Sequence, residues 1–106
     1  ISSNKDLIVE CKQSNSESEI IDFIQDAQSE FDGIIINAGG YTHTSVSIRD
    51  ALKYFDGYII EIHMSNIHAR EEFRKISMIS GVSDGLIVGF GPDSYYLALK
   101  AILSKL

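Results

Sequence analysis

Three short apolar runs constrain this chain most: Gly33-Ile34-Ile35-Ile36, Tyr58-Ile59-Ile60 continuing to Ile62, and Gly85-Leu86-Ile87-Val88-Gly89. Their apolar residues follow one another rather than alternate, so as strands they offer apolar side chains to both faces of a sheet. Gly33–Ile36 in particular reads as a central parallel strand. Leu7-Ile8-Val9 adds a further short β-like run ahead of them. Between the runs lie segments of helical period. Ser16 followed by Glu19 has the form of a capping box, and it opens the stripe Ile20, Ile24, Ala27, Phe31, spaced 4, 3, 4. Thr44 or Ser45 can cap a second helix, with Ile48, Ala51, Leu52 and Phe55 facing inward. Pro92 suits a first helical position and starts the stripe Tyr95, Leu99, Ile102, Leu106. Strand, helix, strand, helix, strand, short helix, strand, helix predicts right-handed crossovers and an α/β fold whose parallel sheet is covered on both faces.

At 106 residues the chain is expected to form one domain. Its net charge of −6 argues against nucleic acid or an anionic membrane as partner, although a few local arginines can still hold a small anion. No apolar run reaches the eighteen or so residues of a membrane helix, and no signal-peptide pattern is present. Cys11 is the only cysteine, which leaves no internal disulfide and fits a cytoplasmic protein. The chain begins at Ile1 without a methionine, which reads as a fragment or a processed chain.

Three loops follow the apolar runs: Asn37-Ala38-Gly39-Gly40-Tyr41-Thr42-His43-Thr44-Ser45, then His63-Met64-Ser65-Asn66, then Gly89-Phe90-Gly91-Pro92. In a parallel sheet all three emerge at the carboxyl edge, where ligands bind. The richest stretch is Glu61 to Arg74, in which fourteen residues hold two histidines, two arginines, three glutamates, an asparagine and a serine.

Gly39 and Gly40 tolerate positive φ, so the first loop can turn sharply and bring bare backbone to a ligand. Asn37 offers both a donor and an acceptor. A plain strand-to-helix turn would use the same residues. His43 precedes a helix start and can cap it or face a ligand hydroxyl. His63 stands two residues after Glu61, which puts both side chains on one face of a strand. A carboxylate beside an imidazole fixes its tautomer and favours its protonated form, as a general acid requires. A structural ion pair is the alternative, and the position at the carboxyl edge of a buried strand favours function. Arg70 and Arg74 fall one turn apart on a short helix, with Glu71 and Glu72 as neutralising neighbours. The amides of Met64 and Ser65 could hold a carboxylate. His63 and His68 are five apart, which matches no usual ligand spacing, so no metal is expected.

Four stretches resemble the type II dehydroquinases. Gln13-Ser14-Asn15-Ser16-Glu17-Ser18-Glu19 is similar to that family's Q-S-N-x-E-G-x segment, with serine replacing the usual glycine at Ser18. Ile36 through Ser45, followed by Ile48-Arg49-Asp50-Ala51-Leu52, resembles its central loop and helix. Glu61 through Arg74 resembles its second loop almost letter for letter, and Gly89-Phe90-Gly91-Pro92 through Leu99 its last strand-to-helix junction. The resemblance implies a flavodoxin-like three-layer sandwich, assembled as trimers and commonly as a dodecamer. It implies conversion of 3-dehydroquinate to 3-dehydroshikimate in the shikimate pathway, through an enolate, without metal or cofactor. By position His63 would protonate the departing hydroxyl, oriented by Glu61. Asn37, Gly39, Gly40, His43 and Arg74 would line the substrate, the amides of Met64 and Ser65 would hold its carboxylate, and Asp50 would reach a neighbouring subunit's site. The family's first strand and its lid, with a basic tyrosine and an arginine, have no counterpart here. The expectation is therefore a dehydroquinase domain over residues 1–106, incomplete at its amino terminus.

Two rival readings use the same residues. A scaffold without its lid would bind ligand or assemble without turnover. Alternatively, Asn37-Ala38-Gly39, Ser83 and Tyr96-x-x-x-Lys100 resemble the signature of NAD(P)-dependent short-chain dehydrogenases, although core packing on the helix stripe would also explain Tyr96.

Overall fold

The structure is a computed structural model that describes residues 7–106; the first six residues of the expected domain lie outside those described. Three strands, β1 (Gly33–Ile36), β2 (Tyr58–His63) and β3 (Gly85–Val88), form one parallel sheet in the order β1-β2-β3. Three helices accompany them: α1 (Glu17–Ala27), α2 (Val46–Lys53) and α3 (Asp93–Leu103). Short 3-10 turns occupy Gly39–His43, Ile67–Ala69, Glu72–Lys75 and Ser80–Val82. The result is an α/β three-layer sandwich of flavodoxin-like kind.

The layers follow from the period-two alternation of β2. Ile59, with Ile34 and Ile36 of β1, packs under α1 and α2 against Ile24, Ile48, Leu52, Phe55 and Ile79. Ile60 and Ile62 face the other way, onto Ala98 and Ile102 of α3. Ser16 caps α1 by accepting from Glu19 N at 3.3 Å. Of the two candidates for α2, Ser45 is the cap and accepts from Ile48 N at 2.9 Å; its hydroxyl also donates to Glu17, tying the two helices together.

Four expectations are corrected. Leu7-Ile8-Val9 is not a strand: it has no ladder partner among the described residues, and Ile8 is 74% exposed. Gly33–Ile36 has both faces covered, yet among the described residues it pairs only with β2 and lies at the sheet edge, while β2 is central. Covered faces and a paired edge are separate properties, and the apolar pattern reports only the first. The expected short helix is two 3-10 turns, and Arg70 closes the first in extended conformation while Arg74 lies in the second, so they share no helix face. On α3 the buried stripe is Ser94, Ala98, Ile102, offset by one from the expected Tyr95 and Leu99. Small side chains at Ser94 and Ala98 let this helix approach the sheet beside Ile102, while Tyr95, Tyr96 and Leu97 turn outward. Tyr96, at 61% exposure, is not a core residue, and Lys100 Nζ lies 5.5 Å from its ring centroid.

Candidate active site

β2 ends in Glu61-Ile62-His63, with both polar side chains on the face shared with α1 and α2. Glu61 is 0% exposed and His63 5%. His63 Nε2 lies 2.5 Å from Glu61 Oε2. Ser77 Oγ donates to the same oxygen at 2.9 Å, and Ser80 Oγ donates to Oε1. Burial by itself would raise the Glu61 carboxyl. The hydrogen bonds from His63, Ser80 and Ser77, together with the charge His63 can carry, outweigh burial and hold it below its ordinary 4.5. An ionised carboxylate only accepts, so the bridging proton sits on Nε2. Nδ1 is then the nitrogen left for chemistry, and it makes no hydrogen bond among the described residues.

The first loop brings a second imidazole. Asn37, at the tip of β1, accepts from Gly39 N at 3.2 Å and donates to the Tyr95 hydroxyl at 3.5 Å. Gly39 takes φ +57°, a conformation that suits glycine, and starts the 3-10 turn that continues through Gly40 to His43. The His43 and His63 rings stack with centroids 6.4 Å apart and planes 19° apart. His43 Nδ1 lies 2.7 Å from Ile76 O. A carbonyl cannot donate, so Nδ1 carries a proton, and in the neutral ring Nε2 is the acceptor. The Phe73 ring meets His43 edge-on at 5.9 Å, and Arg74 lies over Phe73 at 4.9 Å while its Nε donates to Glu71 at 2.7 Å. Arg74 thus joins the cluster through Phe73.

Met64 and Ser65 follow His63 directly and are exposed, and their amides have no partner among the described residues. The third loop hangs on this one: Gly89 N donates to His63 O at 2.9 Å and Gly91 N to Met64 O at 2.8 Å. The structure therefore gathers Glu61, His63, His43, Met64 and Ser65, with Asn37, Gly39 and Gly40 along the neighbouring turn. It does not bring Asp50 there: this exposed carboxylate on α2 pairs with Arg49 Nη1 at 2.8 Å.

Sequence reasoning missed Ser77, Ser80 and Phe73. The serines act on Glu61 from 16 and 19 residues away. Their only local signal is two hydroxyls flanking Met78-Ile79, one of which is a fully buried residue.

Comparison with known proteins gives a consistent picture. The profile of the family "Dehydroquinase class II" matches residues 2–103. A 3-dehydroquinate dehydratase of a Nitratiruptor species is 55% identical over 96 residues, covering 91% of this chain and 62% of the relative. One from Prochlorococcus marinus subsp. pastoris is 50% identical over 106 residues, all of this chain and 73% of that protein. Among solved structures, the type II dehydroquinase of Butyrivibrio crossotus superposes with a TM-score of 0.87 at 49% identity, over 89% of this chain and 66% of that one. The chain thus spans roughly two thirds of the length of these relatives.

Proposed function

This chain belongs to the class II dehydroquinase family, and from that premise we propose that its site dehydrates 3-dehydroquinate to 3-dehydroshikimate as part of aromatic amino acid biosynthesis. The observation that carries the proposal is the Glu61–His63 pair at the carboxyl edge of β2, beside a second imidazole. A base, the tyrosine that the family carries on its lid, takes the proton α to the ketone and leaves an enolate, and collapse of the enolate expels the β-hydroxyl. That hydroxyl leaves as water once it takes a proton from His63 Nδ1. Glu61 holds the Nε2 proton and balances the imidazolium. His43 Nε2 accepts from a substrate hydroxyl, as its tautomer allows. The free amides of Met64 and Ser65 hold the substrate carboxylate, with Asn37, the backbone at Gly39 and Gly40, and Arg74 around the ring. Asp50 serves a neighbouring subunit of a trimer or dodecamer, and the domain over 1–106 works in the cytoplasm. No helix among the described residues is long and apolar enough to cross a membrane.

A second reading, binding without turnover, draws on the Tyr41 hydroxyl, which donates to Asn15 O at 2.9 Å and so is already committed. Tyr41 is thereby not a free base for the reaction. One experiment separates the readings: the chain is mixed with 3-dehydroquinate and the conjugated enone is followed by ultraviolet absorbance, beside calorimetric binding. Turnover that His63→Ala abolishes supports the dehydratase. Binding without turnover supports the second reading, and neither signal would refute both.

A further inference from the structure

Residues 76–80 touch both imidazole-bearing loops at once. Ile76 O holds His43 Nδ1 at 2.7 Å, Met78 N donates to Thr42 O at 2.7 Å, and the Ser77 and Ser80 hydroxyls occupy the two oxygens of Glu61. Ile79, 0% exposed, anchors this segment in the core under α1 and α2. The terminal torsion of a glutamate is soft and close to two-fold, so one imidazole alone would not fix the carboxylate plane. Hydroxyls donating to both oxygens do fix it, and Oε2 then stays aimed at His63 Nε2.

We propose that Ser80, with Ser77, is a positioning residue of the reaction: the two hydroxyls lock the Glu61 carboxylate, and through it the tautomer and direction of the His63 ring. This rests on the reading of His63 as the proton donor. The two serines are not equivalent. Ser77 Oγ also accepts from Ile79 N at 3.2 Å and Ser80 N at 3.1 Å, so it shapes the turn as well. The Ser80 hydroxyl bonds only Glu61 among the described residues. A substitution at Ser80 therefore removes the lock and spares the turn. The lowered carboxyl of Glu61 agrees, since both serines contribute to it.

The test is Ser80→Ala in the whole chain, read by the nitrogen shifts of the His63 ring, by the titration of the Glu61 carboxyl carbon, and by turnover. The lock predicts a ring that samples both tautomers, a Glu61 midpoint that moves up, and kcat about tenfold lower with KM unchanged, the worth of one hydrogen bond to a charged acceptor. Ser80→Thr, which keeps the hydroxyl, should restore all three. A merely structural serine would lower the melting temperature and leave the ring nitrogens and the Glu61 midpoint in place, and that result overturns the proposal. Should Ser80→Ala fail to fold, the unsubstituted chain decides: the Ser80 Cβ resonance must titrate together with the Glu61 carboxyl, and independent titration overturns the lock. The nuclear magnetic resonance readouts need no turnover. An inactive unsubstituted chain with a ring that responds to Ser80→Ala would therefore refute the dehydratase reading and keep the lock.

Discussion

Removing the Glu61 carboxylate altogether should destabilise the chain more than neutralising it. Glu61→Ala strands three donors in a site with 0% exposure at Glu61 and 5% at His63: His63 Nε2–H, Ser77 Oγ–H and Ser80 Oγ–H. A buried donor left without an acceptor costs about 1–3 kcal/mol. The serine hydroxyls can rotate towards other acceptors, so the sum falls short of three full penalties, at about 3–5 kcal/mol, the range for breaking a buried pair. For a domain of this size that is a fall of about 12–20 °C in melting temperature, at about 4 °C per kcal/mol. Glu61→Gln behaves differently. Its amide oxygen at the Oε2 position keeps His63 and Ser77, and its NH₂ at the Oε1 position meets the Ser80 oxygen, whose hydroxyl turns to accept. His63 and Ser77 keep their acceptor, whereas the Ser80 O–H proton loses its own and must turn elsewhere, so the loss is about 1–3 kcal/mol, below that of Glu61→Ala. Thermal melts by circular dichroism and urea titrations with equal m-values read both variants. A Glu61→Ala melt within a few degrees of the unsubstituted chain would refute the reasoning. So would Glu61→Gln melting as low as Glu61→Ala, because charge rather than donor satisfaction would then govern the site.

The pH dependence carries a definite sign. Glu61 is held below its ordinary 4.5 in the fold, so its contribution is complete above that pH and is lost as pH falls through the folded-state value. Urea midpoints from about pH 7 to about pH 3 should converge for the unsubstituted chain and Glu61→Gln as acid removes this contribution; profiles that stay parallel would contradict it. Gly57→Ala should cost about 1–3 kcal/mol by overpacking, since its Cβ would lie 2.3 Å from Asp32 O and 2.6 Å from the Phe55 ring. A urea midpoint unchanged by that substitution would show that the turn before β2 can move aside.

The amino-acid pattern carried some of this architecture and hid the rest for identifiable reasons. Helix starts were legible because a cap is a local bond: Ser16 to Glu19 N and Ser45 to Ile48 N each span three residues. The strand runs were legible because three consecutive isoleucines at 34–36 need apolar cover on both faces. Strand order was not, because ladder partners are set by other segments; hence Gly33–Ile36 read as central and Leu7–Val9 read as a strand. The α3 stripe misled because hydrophobicity ranks Tyr95 and Leu99 above Ser94 and Ala98, whereas close approach to a sheet selects for small volume. At the site the pair Glu61–His63 was legible from period two alone. Ser77 and Ser80 were not, because their hydroxyls reach Glu61 through a chain reversal that no local pattern encodes.

The register of the sheet explains why the second imidazole is available at all. β1 stops at Ile36, which is level with Glu61, while β2 continues two residues further to His63, and β3 stays paired with it to Val88. On its β1 side His63 therefore has no strand beside it. A parallel neighbour there would cover the space with its own side chains. Instead the chain turns at Gly39 and folds the 39–43 turn over the gap, which brings His43 onto His63. On the β3 side, where pairing persists, the loop is held close by Gly89 N on His63 O. The stagger thus leaves one flank of His63 open to a side chain and the other held by backbone. The proposed reaction would use the side where the sheet is short, past His43 and over the amides of Met64 and Ser65.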